Sequence, residues 1–235
     1  MIVTVHDNRR LQVDLRGLWL RLRPVSSSAA AVNVAVSPEL YALLMNDPSP
    51  TGVELRTARL FLRPPTETDI DAIFAIHKDP QTSLHNPSDA LARLDEAEQL
   101  YQRWNNQWQS CGYGYWVVQR HGSTQQLGFC GIKPMELHDM KVLNLFYRFA
   151  VSAWGRGYAS EAATVVTTWA SKTVPDLPLI ARVRPANVAS QRVAVHAGLS
   201  RAEHLDESGE DGLDWIYAAN LPGPTDQPRN PVGRG

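Results

Sequence analysis

Apolar and polar residues alternate around Leu60 and Leu62 until Pro64 and Pro65 end the run, which predicts a short strand. Residues 66–69 then supply cap-type side chains, and Ile70, Ile73, Phe74 and His77 recur at helical spacing. A second helix is predicted over residues 90–108, where Trp104 and Trp108 stand four apart and share a face. Core packing is one reading of that pair, and a wall of a substrate groove is the other. Residues 114–119, 126–132 and 142–151 are rich in β-branched and aromatic side chains and read as three successive strands, with turns at 121–124 and 135–141. A helix over 159–172, a strand over 179–183, a short helix over 188–197 ended by Gly198, and weaker strands over 201–205 and 214–218 complete the pattern.

Strand, helix and strand across residues 142–183 have the length of a crossover unit, so two parallel strands are expected inside an otherwise antiparallel sheet flanked by helices. This is an α+β architecture with a ligand site expected where the strand direction switches. The main domain is expected over residues 53–220, preceded by a 1–52 extension of unassigned role and followed by a 221–235 tail rich in Pro, Gly and Arg that is expected to be disordered. Residues 13–24 match residues 53–64 at seven of twelve positions. A duplicated strand is one explanation, but two amphipathic strands that both end in Arg-Pro would look alike without one.

Composition narrows the function classes. A chain of 235 residues with 43% hydrophobic content and a net charge of -1 can bury one substantial core and shows no basic surface for nucleic acid or anionic membrane. Cys111 and Cys130 are too few for a cysteine-rich zinc site or a disulfide framework. The scattered histidines lack metal-ligand spacing, so no metal is expected. Without a membrane-length apolar run or a signal-type N-terminus, a cytoplasmic location is the expectation.

The candidate chemistry sits between the strand ending at Val151 and the helix beginning near Ala159. There Gly155 and Gly157 remove side chains and let an anion approach the backbone. Unpaired N–H groups at the helix start, with its positive dipole end, suit a pyrophosphate, and Arg156 can add a charge-assisted bond. The turn lacks the Lys-Ser/Thr pair of a nucleotide P-loop and the third glycine of a dinucleotide fold, which disfavours ATP and NAD.

The turn WGRGYASEA, preceded by FYRFAV and followed by ARVRPANVASQRVAVHAGLSR, resembles the acetyl-CoA-binding core of the GNAT N-acetyltransferases, and within them the RimJ/RimL-like branch. The family pattern Gln/Arg-x-x-Gly-x-Gly/Ala falls on Trp154, Gly157 and Ala159, with Trp154 in place of Gln or Arg. By this resemblance the segment Trp154, Gly155, Arg156, Gly157, Tyr158, Ala159 and Ser160 holds the pyrophosphate of acetyl-CoA, the co-substrate. The backbone of Phe149 and Val151 pairs with the pantetheine arm between two splayed parallel strands, and Asn187 and Ser190 lie near the thioester. Ser190 is then a candidate to hydrogen-bond or protonate the departing thiolate. On residue chemistry alone, Asn187 is equally a helix N-cap and Ser190 a first-turn residue.

The implied reaction is direct attack of a primary amine on the thioester, with a protein N-terminus favoured over a lysine or a small amine. An alkyl amine with a pKa of about 10, or an N-terminus at about 8, must first lose a proton. A backbone N–H, placed at Val151, would stabilise the oxyanion. For the base, Glu136, His138 and Asp139 precede the motif strand and Glu203, Glu207 and Glu210 follow it; Glu136 is the candidate taken forward, against a surface reading for each. Tyr147 either lines the acceptor cleft or packs in the sheet. A monomer or homodimer is expected. A non-catalytic acyl-CoA-binding module, or an interaction domain built on the same fold, are the competing readings.

Overall fold

A computed structural model describes residues 2–5, 9–12 and 53–221. The chain divides into two units, Met1–Pro48 and Ser49–Gly235. In the first, β1 (Ile2–Val5) and β2 (Arg9–Gln12) pair antiparallel, with Ile2 opposite Gln12. The compared segment 13–24 and the tail 222–235 lie outside the described residues.

The second unit is built on one sheet. In chain order its elements are β3 (Leu55–Arg56), β4 (Leu60–Arg63), α1 (Ile70–Lys78), α2 (Leu94–Cys111), β5 (Tyr115–Arg120), β6 (Gln126–Leu137) and β7 (Met140–Phe149). They continue with α3 (Tyr158–Thr173), β8 (Leu179–Val183), α4 (Val188–His196), β9 (Ser200–Arg201), β10 (Glu207–Gly209) and β11 (Gly212–Ala219). The sheet order is β10-β11-β8-β7-β6-β5-β4-β3, with β9 also on β11. Every pairing is antiparallel except β7 with β8, joined by the α3 crossover. The expected α+β mixed sheet is the observed one.

Two boundaries differ from the sequence pattern. The turn expected over 135–141 contracts to His138 and Asp139, both left-handed at φ 47 and 62, so β6 and β7 continue to the tip of a two-residue hairpin. Leu137 accounts for the extension, because it is buried with Val142, Ile180 and Ile216. The second helix starts at Leu94 instead of residue 90, since Pro87 opens a separate 3-10 turn and Glu96 accepts the Ala92 and Arg93 amides at 2.7 and 3.1 Å. Gly112, at φ 73, closes that helix in the left-handed region.

Strand alternation divides the core between the two sheet faces. Trp116 and Val118 of β5 pack with α3 residues such as Ala162 and Val166, whereas Tyr115 and Val117 pack with Ile73 and Ile76 of α1 and Trp104 of α2. Trp104 and Trp108 are both buried but join different clusters, and Trp108 Nε1 donates to Tyr115 O at 3.0 Å. Burial pushes the Cys130 thiol up, keeping it an inert core group.

A buried carboxylate ties β4 to α1. Asp69 is fully buried and accepts two bonds from Arg63 at 2.7 Å, one from Thr66 N at 2.8 Å and one from Gln126 at 3.0 Å. Burial alone would raise its pKa, but these donors outweigh it and hold the carboxyl below its usual value. Among the described residues, no helix is long and apolar enough to cross a membrane, and no three His, Cys, Asp or Glu gather as a metal site would.

Candidate active site

The parallel pair is short. β7 and β8 are in register only at Leu143 with Leu179 and Asn144 with Ile180, and the two strands separate beyond that point. Ala150 N donates to Leu127 O at 2.9 Å and Leu143 N to Pro178 O at 2.8 Å, so even-numbered residues of β7 direct their backbone groups to β6 and odd-numbered ones toward β8. The N–H groups of Tyr147 and Phe149 therefore face the gap. Such an edge can pair with an extended ligand as another strand would. Val151, expected at the strand's end, instead opens a 3-10 turn, Val151–Ala153, so the regular edge stops at Phe149.

The glycine turn follows directly. Gly155 and Gly157 sit at φ 72 and 74, where an L side chain is strained. A Cβ on Gly155 would meet nothing within 4 Å, so this glycine is required by conformation and the space in front of it is open. Gly157 is the N-cap of α3 and its carbonyl accepts the Glu161 amide at 3.0 Å, which leaves the first-turn amides of Tyr158, Ala159 and Ser160 without helical partners. Trp154, Gly155, Arg156 and Gly157 are exposed, and the Arg156 guanidinium has no partner among the described residues. Unpaired amides, a helix N-terminus and a free guanidinium make an anion site. The indole of Trp154 folds back so that Nε1 donates to Phe149 O at 2.9 Å, leaving Phe149 only its N–H for the gap.

Sequence reasoning missed what fixes this turn. Arg59, between β3 and β4, donates from Nη1 to Arg156 O at 2.9 Å and from Nε to Glu161 at 2.6 Å, and it lies 4.9 Å over the Tyr158 ring. Glu161 also accepts from Thr57 and from the Arg59 amide. Its burial would raise its pKa, but Thr57 and Arg59 outweigh that and lower it. No local pattern marks an Arg and a Glu that are 102 residues apart in the chain.

Across the gap stands α4. Asn187 Oδ1 accepts the Ser190 amide at 3.0 Å, the expected cap, and this sets Ser190 facing β7. Tyr147 Oη lies 2.7 Å from Ser190 Oγ and 2.9 Å from Ser190 O. Ser190 O can only accept, so while the phenol donates to it the serine hydroxyl donates to Tyr147 Oη; when Tyr147 turns its proton to Oγ, the serine proton is free to point into the gap. Burial raises the Tyr147 pKa against the opposing bond from Ser190, so the phenol stays neutral.

The gap opens into a cavity of about 610 Å³ lined by Tyr147, Ser190, Asn144, His77 and Trp104, among others. Two buried cations border it: Arg148, 2.9 Å from Asp89, and Arg184, 3.2 Å from Asp214. His77 Nδ1 lies 2.8 Å from Ile73 O and donates to it, so Nε2 keeps its lone pair. Burial, assisted by Arg148, lowers the pKa of His77 to about 4, and the ring is a neutral member of an aromatic group with Trp104, Phe129 and Phe146.

Of the proposed bases only Glu210, in the β10–β11 turn, reaches this cavity. Glu136 does not: it is exposed opposite Lys141, six residues before Tyr147 on the paired strand, or roughly 20 Å away at strand rise. The hairpin that extends β6 carries Glu136 away from the gap. His138 and Asp139 form the tight turn beyond it, and Glu207 lies 3.4 Å from Arg182.

Residues 59–200 match the model of the acetyltransferase (GNAT) domain. The chain is 34% identical over 96 residues to the uncharacterized protein YkkB of Bacillus subtilis (strain 168), a match covering 40% of this chain and 56% of that protein. The chain therefore spans little more than half the length of that curated relative. An acetyltransferase structure from Agrobacterium tumefaciens superposes with a TM-score of 0.62 at 24% identity, over 82% of this chain and all, 100%, of the other. RimL, a ribosomal L7/L12 alpha-N-protein acetyltransferase solved with coenzyme A, superposes with a TM-score of 0.58 at 17% identity, over 71% of this chain and 97% of its own. With the domain model spanning the strand edge, the glycine turn and the capped serine, the chain belongs to the GNAT acetyltransferase family.

Proposed function

We propose that residues 53–220 transfer the acetyl group of acetyl-CoA to a primary amine by direct attack, within the RimJ/RimL-like branch, and that the acceptor is a protein N-terminus or a small amine. The observation that carries this reading is the continuity of three parts: an anion-binding turn, a strand edge with free amides, and a hydroxyl pair where that edge meets the cavity.

In this reading the pyrophosphate rests on the amides from Arg156 to Ser160, with the Arg156 side chain closing over it. Trp154 contributes by anchoring the end of β7 on which the arm pairs. From the turn the pantetheine arm passes Val151 and pairs with the N–H of Phe149. The thioester then lies beside Tyr147 and Ser190. The oxyanion role expected at Val151 passes to the Tyr147 amide, which faces the gap next to Ser190. As the C–S bond breaks, the Ser190 hydroxyl, oriented by Tyr147, hydrogen-bonds the departing thiolate. The amine reaches the carbonyl from the cavity side. Its proton leaves toward Glu210 or a water chain along the neutral His77 face, and Glu136 has no part in the step.

Thiol release from acetyl-CoA, followed across a panel of peptides and small amines with the products weighed by mass spectrometry, tests this. Amine-dependent release with an acetylated product is the expected result. Binding of acetyl-CoA with no amine-dependent release would select the non-catalytic module instead.

A further inference from the structure

The wall of the cavity opposite α4 has a charge pattern that bears on the acceptor. In the β6–β7 register Lys133 stands directly opposite Asn144, so their side chains share a face, and both line the cavity. Arg103 on α2 lines it too, one helical turn before Gln107. Gln107 is committed to tying α2 to the sheet, donating to Ile132 O at 2.8 Å and to Tyr113 O at 3.2 Å.

The cations around this cavity differ in one respect. Arg148, Arg182 and Arg184 each face a carboxylate, the closest contacts being 2.9 Å to Asp89, 2.7 Å to Asp214 and 3.2 Å to Asp214. Arg103 and Lys133 face none among the described residues. Among the described residues, the lining carboxylate without a cationic partner is Glu210.

A polycationic acceptor would meet two unpaired cations and one unpaired carboxylate, the wrong balance for it. An acceptor whose amine is accompanied by an anionic group matches this balance. We infer that the cavity selects amines that carry a carboxylate, the carboxylate resting between Lys133 and Arg103. This deepens the acetyltransferase reading and rests on it. Asn144 precedes Tyr147 by three residues, so the anion lies roughly 10 Å along the strand from the reacting carbonyl, within the span of an acidic side chain and the lysine that reaches for it. The cations also favour the neutral, nucleophilic form of the amine.

The test is calorimetric titration of the CoA-saturated protein with two matched pairs. One pair is a short peptide amide with a free N-terminus containing Glu or, in its partner, Gln. The other is a small amino dicarboxylate and its diamide, and spermine is titrated alongside. The acidic member of at least one pair is expected to bind tenfold or more tightly than its neutral partner, and the pair with the larger margin identifies a peptide or a small-molecule source. Lys133→Met with Arg103→Gln is expected to reduce that margin to under twofold while CoA affinity stays unchanged; both side chains are exposed, so folding is not at risk. Equal binding within both pairs, or tighter binding of spermine, overturns the inference. Thiol release is measured on the same ligands: a binding preference without any release would sink the acetyltransferase reading while leaving the anion subsite standing.

Discussion

The two ends of the candidate site are built from different materials. The donor end is backbone: left-handed Gly155 and Gly157, first-turn amides of α3 and the strand edge at Tyr147 and Phe149. The acceptor end is side chains from separated segments: His77 from α1, Arg103 from α2, Lys133 from β6, Asn144 from β7 and Glu210 from a turn near the C-terminus. In the proposed reading, backbone geometry recognises what every acetyl-CoA shares. Side chains can change one at a time, so this is the end where relatives of one fold can differ in acceptor. Substitutions at the two ends should accordingly separate co-substrate affinity from acceptor preference.

The largest separation is expected from Gly157→Val. At φ 74 a β-branched residue is strained, so the unliganded turn relaxes out of shape; restoring it on binding costs about 2 kcal/mol, and CoA affinity should fall about 30-fold in equilibrium titration. The acidic-to-neutral acceptor ratio should not move. A change in that ratio would show that the two ends are not independent.

Ser190→Ala tests the junction. The serine amide stays capped by Asn187, because that bond uses the backbone. Turnover is expected to fall about tenfold to 30-fold, the loss of one hydrogen bond to the developing charge, while CoA affinity changes less than twofold. Unchanged turnover would remove Ser190 from the chemistry and leave it as a first-turn residue. Tyr147→Phe should give a smaller loss, since the phenol acts through the serine.

The acceptor end should also be the acid-sensitive one. His77 is protonated in the unfolded chain below its ordinary value of 6.5 but resists protonation when folded until about pH 4. The unfolded state therefore binds the extra proton between those limits, and stability from this group is complete above pH 6.5 and lost as pH falls toward 4. His77→Phe, set among Trp104, Phe129 and Phe146, removes that term. At pH 5 the variant should gain about 2 kcal/mol relative to its own change at pH 8, measured by denaturant unfolding at both pH values. An identical acid limb in the variant would mean that the ring is already charged when folded.

Legibility in the sequence follows the same division. The glycine turn, the crossover that places it and the Asn187 cap are local patterns, and each appears in the structure where the sequence put it. The β6–β7 strands are readable too, but their hairpin tip is not, because Met135 and Leu137 read as loop until Ile180 and Ile216 bury Leu137. Glu136 is near the motif strand in sequence, and an antiparallel hairpin turns that nearness into distance. His77 falls on the helical apolar spacing, and its burial also brings it to the cavity wall. Arg59 and Glu161 had no signature at all, since their pairing exists only after β4 lies against α3.

That pairing yields the smallest prediction and one that tests whether the donor end is backbone alone. Glu161 is an acid in the first turn of α3, close to where the phosphates would sit, and Arg59 neutralises it while holding the Arg156 carbonyl. Arg59→Ala should loosen the turn and leave that carboxylate uncompensated, weakening CoA binding about fivefold, or roughly 1 kcal/mol for a half-exposed pair. Glu161→Gln in the Arg59→Ala background should recover part of the loss by removing the repulsion, and raised salt should narrow the difference between the two variants. If Arg59→Ala binds CoA as the parent does, Gly155 and Gly157 hold the turn without help. If the double variant recovers nothing, the arginine acts by shaping the turn and not by balancing charge.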